Sequence, residues 1–226
     1  RVGESMEIIK TAPAKINLGL DVLYKREDGY HELEMVMSSV DLADRLTLEK
    51  LPENKIIVET NTAFLPIDKR NNVYQAAAIL KERYGIKEGI KISIDKQIPV
   101  AAGLGGGSTD CAAALRGMNR LWEMNLSLEE LVAMGVQVGT DVPYCLYGTT
   151  AFISGKGAIV QPLVPMPQCW VVLVKPRLSV STRKIFQQVE MEQLSHPDMQ
   201  KLAAAILAQD YDAMIQHMGN SLEDIT

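Results

Sequence analysis

The sequence is poor in the residues that build metal centres, cross-links and membrane spans. Of 226 residues only three are Cys and three are His. Cys111, Cys145 and Cys169 form no C-x-x-C pair and sit among apolar neighbours, which argues against a zinc ribbon or a disulfide framework and for reduced core thiols. His31, His196 and His217 are too scattered for a metal cluster, so no protein metal ligand is assigned. Aromatic residues make up 5% of the chain, and no Lys/Arg block is interleaved with them. The electrostatic footprint of a nucleic-acid binder is therefore missing. No apolar run approaches the length of a membrane span, and no charged segment followed by an apolar one opens the chain. Repeats and low-complexity tracts are also missing. These absences predict a soluble, cytoplasmic protein acting on a small molecule, with no nucleic-acid and no membrane partner. Acidic residues outnumber basic ones by 28 to 23, a net charge of −5, and 47% of the residues are hydrophobic, enough for one large domain or two smaller ones.

Glycine, by contrast, is concentrated in one place. Pro99, Val100, Ala101, Ala102, Gly103, Leu104, Gly105, Gly106, Gly107, Ser108 and Thr109 form a glycine-rich loop ahead of Asp110. Upstream, Ile90, Ile92 and Ile94 alternate as on a half-buried strand that Pro99 ends. Downstream, Cys111, Leu115, Met118 and Trp122 recur at helical spacing, with Ser108 or Thr109 expected as N-cap. A flexible linker would not be bracketed so tightly. Without Cβ atoms, such a loop can bring several N–H groups against one anion at the positive end of a helix. A Walker loop needs a lysine that the 103–109 segment lacks, and a dinucleotide loop needs glycine where Ser108 stands, so both patterns fail.

Elsewhere the periodicity predicts an α+β chain. Residues 14–24 alternate as a strand with one polar face, Asp28-Gly29 supplies a turn, and His31, Leu33, Met35 and Met37 begin the return strand. Residues 45–50 and 55–60 read as further strands. Val73, Ala77, Leu80 and Tyr84 mark a helix from Asn72 that Gly85 stops. Ser127 and Glu130 have the spacing of a capping box for a helix ending near Gly139. Residues 149–162 read as a hairpin around Gly155-Lys156-Gly157. Pro162, Pro165 and Pro167 then place a domain boundary, giving domains 1–163 and 164–226. Beyond it, Cys169–Lys175 reads as a buried strand, Ser181 as a helix cap, and 199–208 and 210–218 as helices. One strand and three helices do not complete a layered domain.

Two further segments carry polar side chains where chemistry could use them. Lys15 and Asn17 lie on one face of the first strand, although a single strand lysine is often a solvated edge residue. Asp141, in Gly139-Thr-Asp-Val-Pro-Tyr144, stands at a helix start, where an aspartate can simply be a cap. With the glycine loop they supply the parts of phosphoryl transfer: anion donors, a cation, and an acid to orient or deprotonate a hydroxyl. Spacing alone does not bring them together.

The set Pro-Ala-Lys-Ile-Asn-Leu at 13–18, Gly-Leu-Gly-Gly-Gly-Ser-Thr-Asp at 103–110 and Gly-Thr-Asp-Val-Pro-Tyr at 139–144 resembles the GHMP small-molecule kinases. Asp28-Gly-Tyr-His-Glu-Leu33 narrows the likeness to members acting on a cytidine-diphosphate-linked methylerythritol. The resemblance implies a two-domain α+β GHMP kinase fold, with a ribosomal protein S5 domain 2-like N-terminal domain and a ferredoxin-like C-terminal domain. That second domain is expected to be incomplete here. The resemblance also implies an ATP-dependent kinase, monomeric or weakly homodimeric, with Lys15 and Asp141 as the catalytic pair and ATP bound along 99–109, its phosphates over 103–109. Asn72 and Lys96 would serve the adenine, and Asn17, Tyr30, His31 and Phe186 the substrate, with Tyr30 stacking on the base. Mg²⁺ is expected with the nucleotide. Thr109-Asp110-Cys111 departs mildly from the family's usual Ser-Asp-Ala. The alternatives are a related sugar, homoserine or mevalonate kinase, a non-catalytic nucleotide binder on the same fold, and, from glycine richness alone, a dinucleotide oxidoreductase.

Overall fold

Two long strands run through the molecule. In the computed structural model, which describes residues 7–177 and 182–225, β1 spans Glu7–Lys25 and β2 spans His31–Leu51. The turn between them closes with the Arg26 amide donating to the Tyr30 carbonyl at 2.8 Å, and Gly29 takes φ = 84°. The segment expected as a separate strand at 45–50 is the second half of β2, because nothing between Met37 and Arg45 interrupts the extended chain.

The chain forms two compact units that interleave in sequence. Unit 1 holds the segment ending at Ala14, together with Asp41–Pro99 and Gly105–Leu146. Unit 2 holds Lys15–Val40, Val100–Leu104 and the segment from Tyr147 onward. Composition had marked a boundary at the prolines near 163, whereas the units exchange chain at several points.

In unit 1, β3 (Ile56–Thr60) and β4 (Gly89–Asp95) join β2 and β1 in the order β3-β4-β2-β1. Strand β4 runs antiparallel to β2, Leu46 opposite Ile94 and Leu48 opposite Ile92, and parallel to β3. Helices α1 (Asn72–Tyr84), α2 (Gly106–Leu121) and α3 (Leu128–Val138) build one core with it, including Leu46, Leu48, Leu80, Ile90, Ile92, Leu115 and Met118. Burying each such side chain contributes about 1.5–3 kcal/mol. The helix ends follow local chemistry. Asn71 caps α1 by accepting from the Val73 amide at 2.9 Å, and Gly85 ends it at φ = 66°. The expected capping box opens α3: the Ser127 amide donates to Glu130 at 2.8 Å, and the Glu130 amide to Ser127 Oγ at 3.2 Å. Helix α4 (Val142–Tyr147) follows Asp141.

In unit 2 the order is β7-β1-β2-β5-β6, with β5 at Ala151–Ser154, β6 at Ile159–Pro162 and β7 at Gly219–Asn220. Helices α6 (Met199–Leu207) and α7 (Tyr211–His217) cover it through Leu18, Val36, Met199, Leu202, Ile206 and Met214. Helix α5 is Thr182–Gln187. The polar side of β1 is covered too: Lys15 and Asp21 are each 6% exposed. Asp21 accepts from Ser221 Oγ at 2.8 Å and lies 2.7 Å from His196 Nδ1.

One expectation fails outright. Residues 169–175 form no strand, and Trp170, Val172 and Val174 are exposed, because no described strand pairs with them. The cap expected at Ser181 lies outside the described residues. Among the described residues, no helix is long and apolar enough to cross a membrane.

Candidate active site

Helix α2 begins three residues earlier than a hydroxyl cap would have set it. Gly105 is the N-cap, at φ = 68°, and no side chain caps the helix. The first helical hydrogen bond runs from the Thr109 amide to the Gly105 carbonyl at 2.9 Å. The amides of Gly106, Gly107 and Ser108 therefore have no partner within the helix and face outward from its positive end. A serine or threonine cap would have used part of this donor set, whereas a left-handed glycine leaves it open to an anion. Ala101 and Gly103 also have positive φ, 55° and 73°, so the chain leading into the helix turns sharply. Ser108 is half-buried, while Thr109 is 3% exposed and points into the core side of the helix.

Three other elements of unit 1 meet this turn. A Cβ built on Gly107 would stand 3.1 Å from Asn72 Nδ2, so the Asn72 amide lies against the loop. A Cβ on Gly106 would stand 3.0 Å from Lys96 Nζ, and one on Gly139 would stand 3.7 Å from Ser108 Oγ. Gly139 begins the turn that presents half-buried Asp141: the Val142 amide donates to the Gly139 carbonyl at 3.2 Å, and the Cys145 amide to the Asp141 carbonyl at 3.1 Å. The structure thus gathers Asn72, Lys96, Ser108 and the 139–141 turn around the start of α2.

Lys96, which the resemblance assigns to the adenine, holds its ammonium in the interior of unit 1. Its side chain is 6% exposed and bridges Asp44 and Asp110, standing 2.9 Å from the latter. Burial alone would pull its pKa down, but the two carboxylates outweigh that and hold it above the usual lysine value. Asp110 is pushed up to about 7 by burial, an effect that Asp44 reinforces and Lys96 opposes. Asp110 Oδ1 is buried with no hydrogen-bond partner. Asp44 Oδ1 accepts from the amides of Gln97 and Ile98 at 2.6 and 2.8 Å. The sequence does hold a signal for Asp44: it occupies the apolar register of β2 with Leu46 and Leu48, all three fully buried.

Next to Lys96 is an open cavity of about 680 Å³ lined by residues 60–68 and Arg70, among them Asn61, Phe64 and Ile67. Asn61 donates to the Lys96 carbonyl at 3.3 Å and accepts from the Lys96 amide at 2.9 Å. Its lining residues carry no periodicity, so nothing in their spacing marks a cavity.

Unit 2 carries the remaining candidates. The Lys15 amide donates to the Leu104 carbonyl at 3.0 Å, and Lys15 Nζ donates to Asn17 Oδ1 at 3.3 Å. His31 and Phe186 stack with ring centroids 5.4 Å apart and planes tilted by 30°. Burial lowers the His31 pKa, and the charge of Lys25 lowers it further, so the imidazole is neutral near pH 7. Tyr30 is 55% exposed, with Lys156 Nζ 4.9 Å from its ring centroid.

Among the described residues, no group of three or more His, Cys, Asp or Glu side chains could hold a metal ion. The half-buried Ser108 hydroxyl, beside the open amides, could give one ligand to a divalent ion whose other ligands are phosphate oxygens and water.

The GHMP kinases N terminal domain family matches residues 71–149. The chain is 59% identical over 221 residues to the 4-diphosphocytidyl-2-C-methyl-D-erythritol kinase of Enterococcus faecalis, covering 98% of this chain and 78% of the relative. It is 52% identical to the protein of that name from Listeria monocytogenes serotype 4a, covering 98% of this chain and 76% of the relative. A crystal structure of 4-(cytidine 5'-diphospho)-2C-methyl-D-erythritol kinase superposes with a TM-score of 0.76 at 30% identity, covering 96% of this chain and 76% of that one. Homoserine kinase from Cytophaga hutchinsonii shares the fold at a TM-score of 0.72 and 21% identity, covering 97% of this chain and 74% of that one.

Proposed function

This chain belongs to the GHMP kinases, and on that premise we propose that it transfers the γ-phosphoryl group of ATP to the 2-hydroxyl of 4-diphosphocytidyl-2-C-methyl-D-erythritol. The product feeds the non-mevalonate route to isoprenoid precursors. The observation that carries the reading is the 59% identity, spread over 98% of the chain, to a relative bearing that enzyme's name. The open amide end of α2 supports a phosphate ligand on independent physical grounds.

The chemistry asks little of the protein beyond positioning and charge. The amides of Gly106, Gly107 and Ser108 hold phosphate oxygens, and the cavity at 60–68 receives the adenine, with Asn72 beside the loop. Asp141 accepts the proton of the attacking hydroxyl. Lys15 offsets charge on the transferred group. Asn17, bonded to Lys15, hydrogen-bonds the substrate near that hydroxyl. Tyr30, His31 and Phe186 take the cytosine: aromatic faces hold its ring, and the neutral imidazole reads its edge. When bound with ATP, Mg²⁺ supplies charge neutralisation between the phosphates.

A substrate panel tests the assignment. ADP release from ATP should be stimulated strongly by the cytidine-linked substrate and not by homoserine or mevalonate. Equal stimulation by either control would overturn the substrate, and no stimulation by any acceptor would leave a nucleotide binder.

A further inference from the structure

Phe64 stands almost wholly in solvent. It is 90% exposed, whereas Phe152 and Phe186 are half-buried. Ile67, three residues on, is 57% exposed. A single apolar side chain in water needs no explanation, but these two line one cavity in unit 1, together with Leu65 and Pro66.

The loop that carries them is tied down at both ends. Strand β3 ends at Thr60, opposite Ile94 of β4. The side chain of Asn61 then continues the ladder: Oδ1 accepts from the Lys96 amide at 2.9 Å, and Nδ2 donates to Asp95 Oδ1 at 2.7 Å and to the Lys96 carbonyl at 3.3 Å. At the far end Asn71 Nδ2 donates to the Pro66 carbonyl at 2.8 Å, and the Asn71 amide to the Asp68 carbonyl at 2.8 Å. Between them the Phe64 amide donates to Thr62 Oγ1 at 3.5 Å. The backbone is thus held while its apolar side chains are left in water, where folding gains nothing from them.

The position of the loop says what would cover them. Asn61 grips the backbone of Lys96, and a Cβ on Gly106 would stand 3.0 Å from the Nζ of that same lysine. The cavity therefore lies within one lysine side chain of the open amides of α2. A nucleotide with its phosphates on those amides brings its base to this rim.

We propose that Phe64 is the residue on which the nucleotide base stacks, and that Asn61 is a positioning residue that holds the Phe64 loop against the end of β4. The proposal rests on the reading of this cavity as the adenine site. An aromatic ring suits the task, because a base offers it a π-face and the ring has few rotamers to lose on binding. Asn61 touches no ligand in this role and acts through the loop geometry it sets.

The test is calorimetric titration of the protein with a non-hydrolysable ATP analogue and, separately, with inorganic tripolyphosphate, which has no base. Phe64→Ala should weaken the analogue at least about fivefold, leave tripolyphosphate unchanged and melt as wild type does, since the lost ring is exposed. Phe64→Trp should restore binding of the analogue, and its added indole fluorescence should be quenched by the analogue and not by tripolyphosphate. Adding Asn61→Ala to Phe64→Trp should abolish that quenching while tripolyphosphate still binds. An analogue that binds wild type more tightly than tripolyphosphate does, yet equally well to Phe64→Ala, would overturn the stacking role and leave the adenine reading standing. Analogue and tripolyphosphate binding wild type equally would overturn both. Quenching that survives Asn61→Ala would overturn the positioning role.

Discussion

Lys96 Nζ stands 2.9 Å from Asp110 Oδ2, tying the residue after β4 to the second turn of α2, with the two side chains 6% and 4% exposed. Asp44 engages the same ammonium from β2. This buried triad holds the N-terminal half of the helix whose open amides form the proposed phosphate site. Removing the cation strands two carboxylates in the interior. Lys96→Met should therefore cost about 3–5 kcal/mol of stability, the range for breaking a buried ion pair. Urea unfolding measures it, and a loss below about 1 kcal/mol would contradict the role.

The triad also carries a pH signature. Asp110 titrates at about 7 in the folded protein, against an ordinary value of 3.8, chiefly because of burial. Between those values the folded state binds more protons than the unfolded state, so this group's contribution falls as pH rises through 7. Asp68 has the opposite sign. Its carboxyl is held down to about 2 by Arg70, so its contribution is lost only in strong acid. Unfolding free energies of wild type and Asp110→Asn, measured from pH 4 to 8, should diverge with a slope that Asp110→Asn lacks.

Much of this architecture was readable beforehand, and the exceptions have physical causes. Asn71, Gly85, Ser127 and Glu130 act through local hydrogen bonds, so their sequence signals fixed the ends of α1 and α3. The start of α2 differs from the expected Ser108 or Thr109 cap because a Ser/Thr cap is the commoner device and the backbone angle at Gly105 leaves no mark in spacing. Asp44 meets Lys96 across 52 positions, a partnership set by strand register rather than by neighbourhood. Residues 169–175 have a buried strand's composition, but burial needs a pairing partner, and none of the described strands supplies one.

Gly105 should be sensitive for backbone reasons alone. Its φ of 68° costs an L-residue about 1–2 kcal/mol. Gly105→Ala should lower stability by that amount, or else shift the loop and raise the KM for ATP. Steady-state kinetics combined with thermal melting distinguishes the two. An unchanged protein on both counts would show that the left-handed turn is not needed.

The His31–Phe186 stack should report on the cytidine end. An aromatic contact of this kind contributes about 0.5–1.5 kcal/mol. Phe186→Ala should raise the KM for the cytidine-linked substrate about fivefold, with the KM for ATP unchanged. Because the His31 pKa is lowered, that KM should stay flat above pH 7 and rise only in acid, as the imidazole becomes charged and loses its acceptor. A rise in KM for ATP instead would move the aromatic pair out of the cytidine site.

The most direct test of the proposed chemistry is the rate of γ-phosphoryl transfer from labelled ATP to 4-diphosphocytidyl-2-C-methyl-D-erythritol by Asp141→Asn. The side chain is nearly isosteric but cannot accept a proton, so kcat should fall by about 10²–10⁴-fold while the KM for ATP stays near wild type. Transfer at the wild-type rate would contradict Asp141 as the base, and with it the mechanism built on the loop at 103–109.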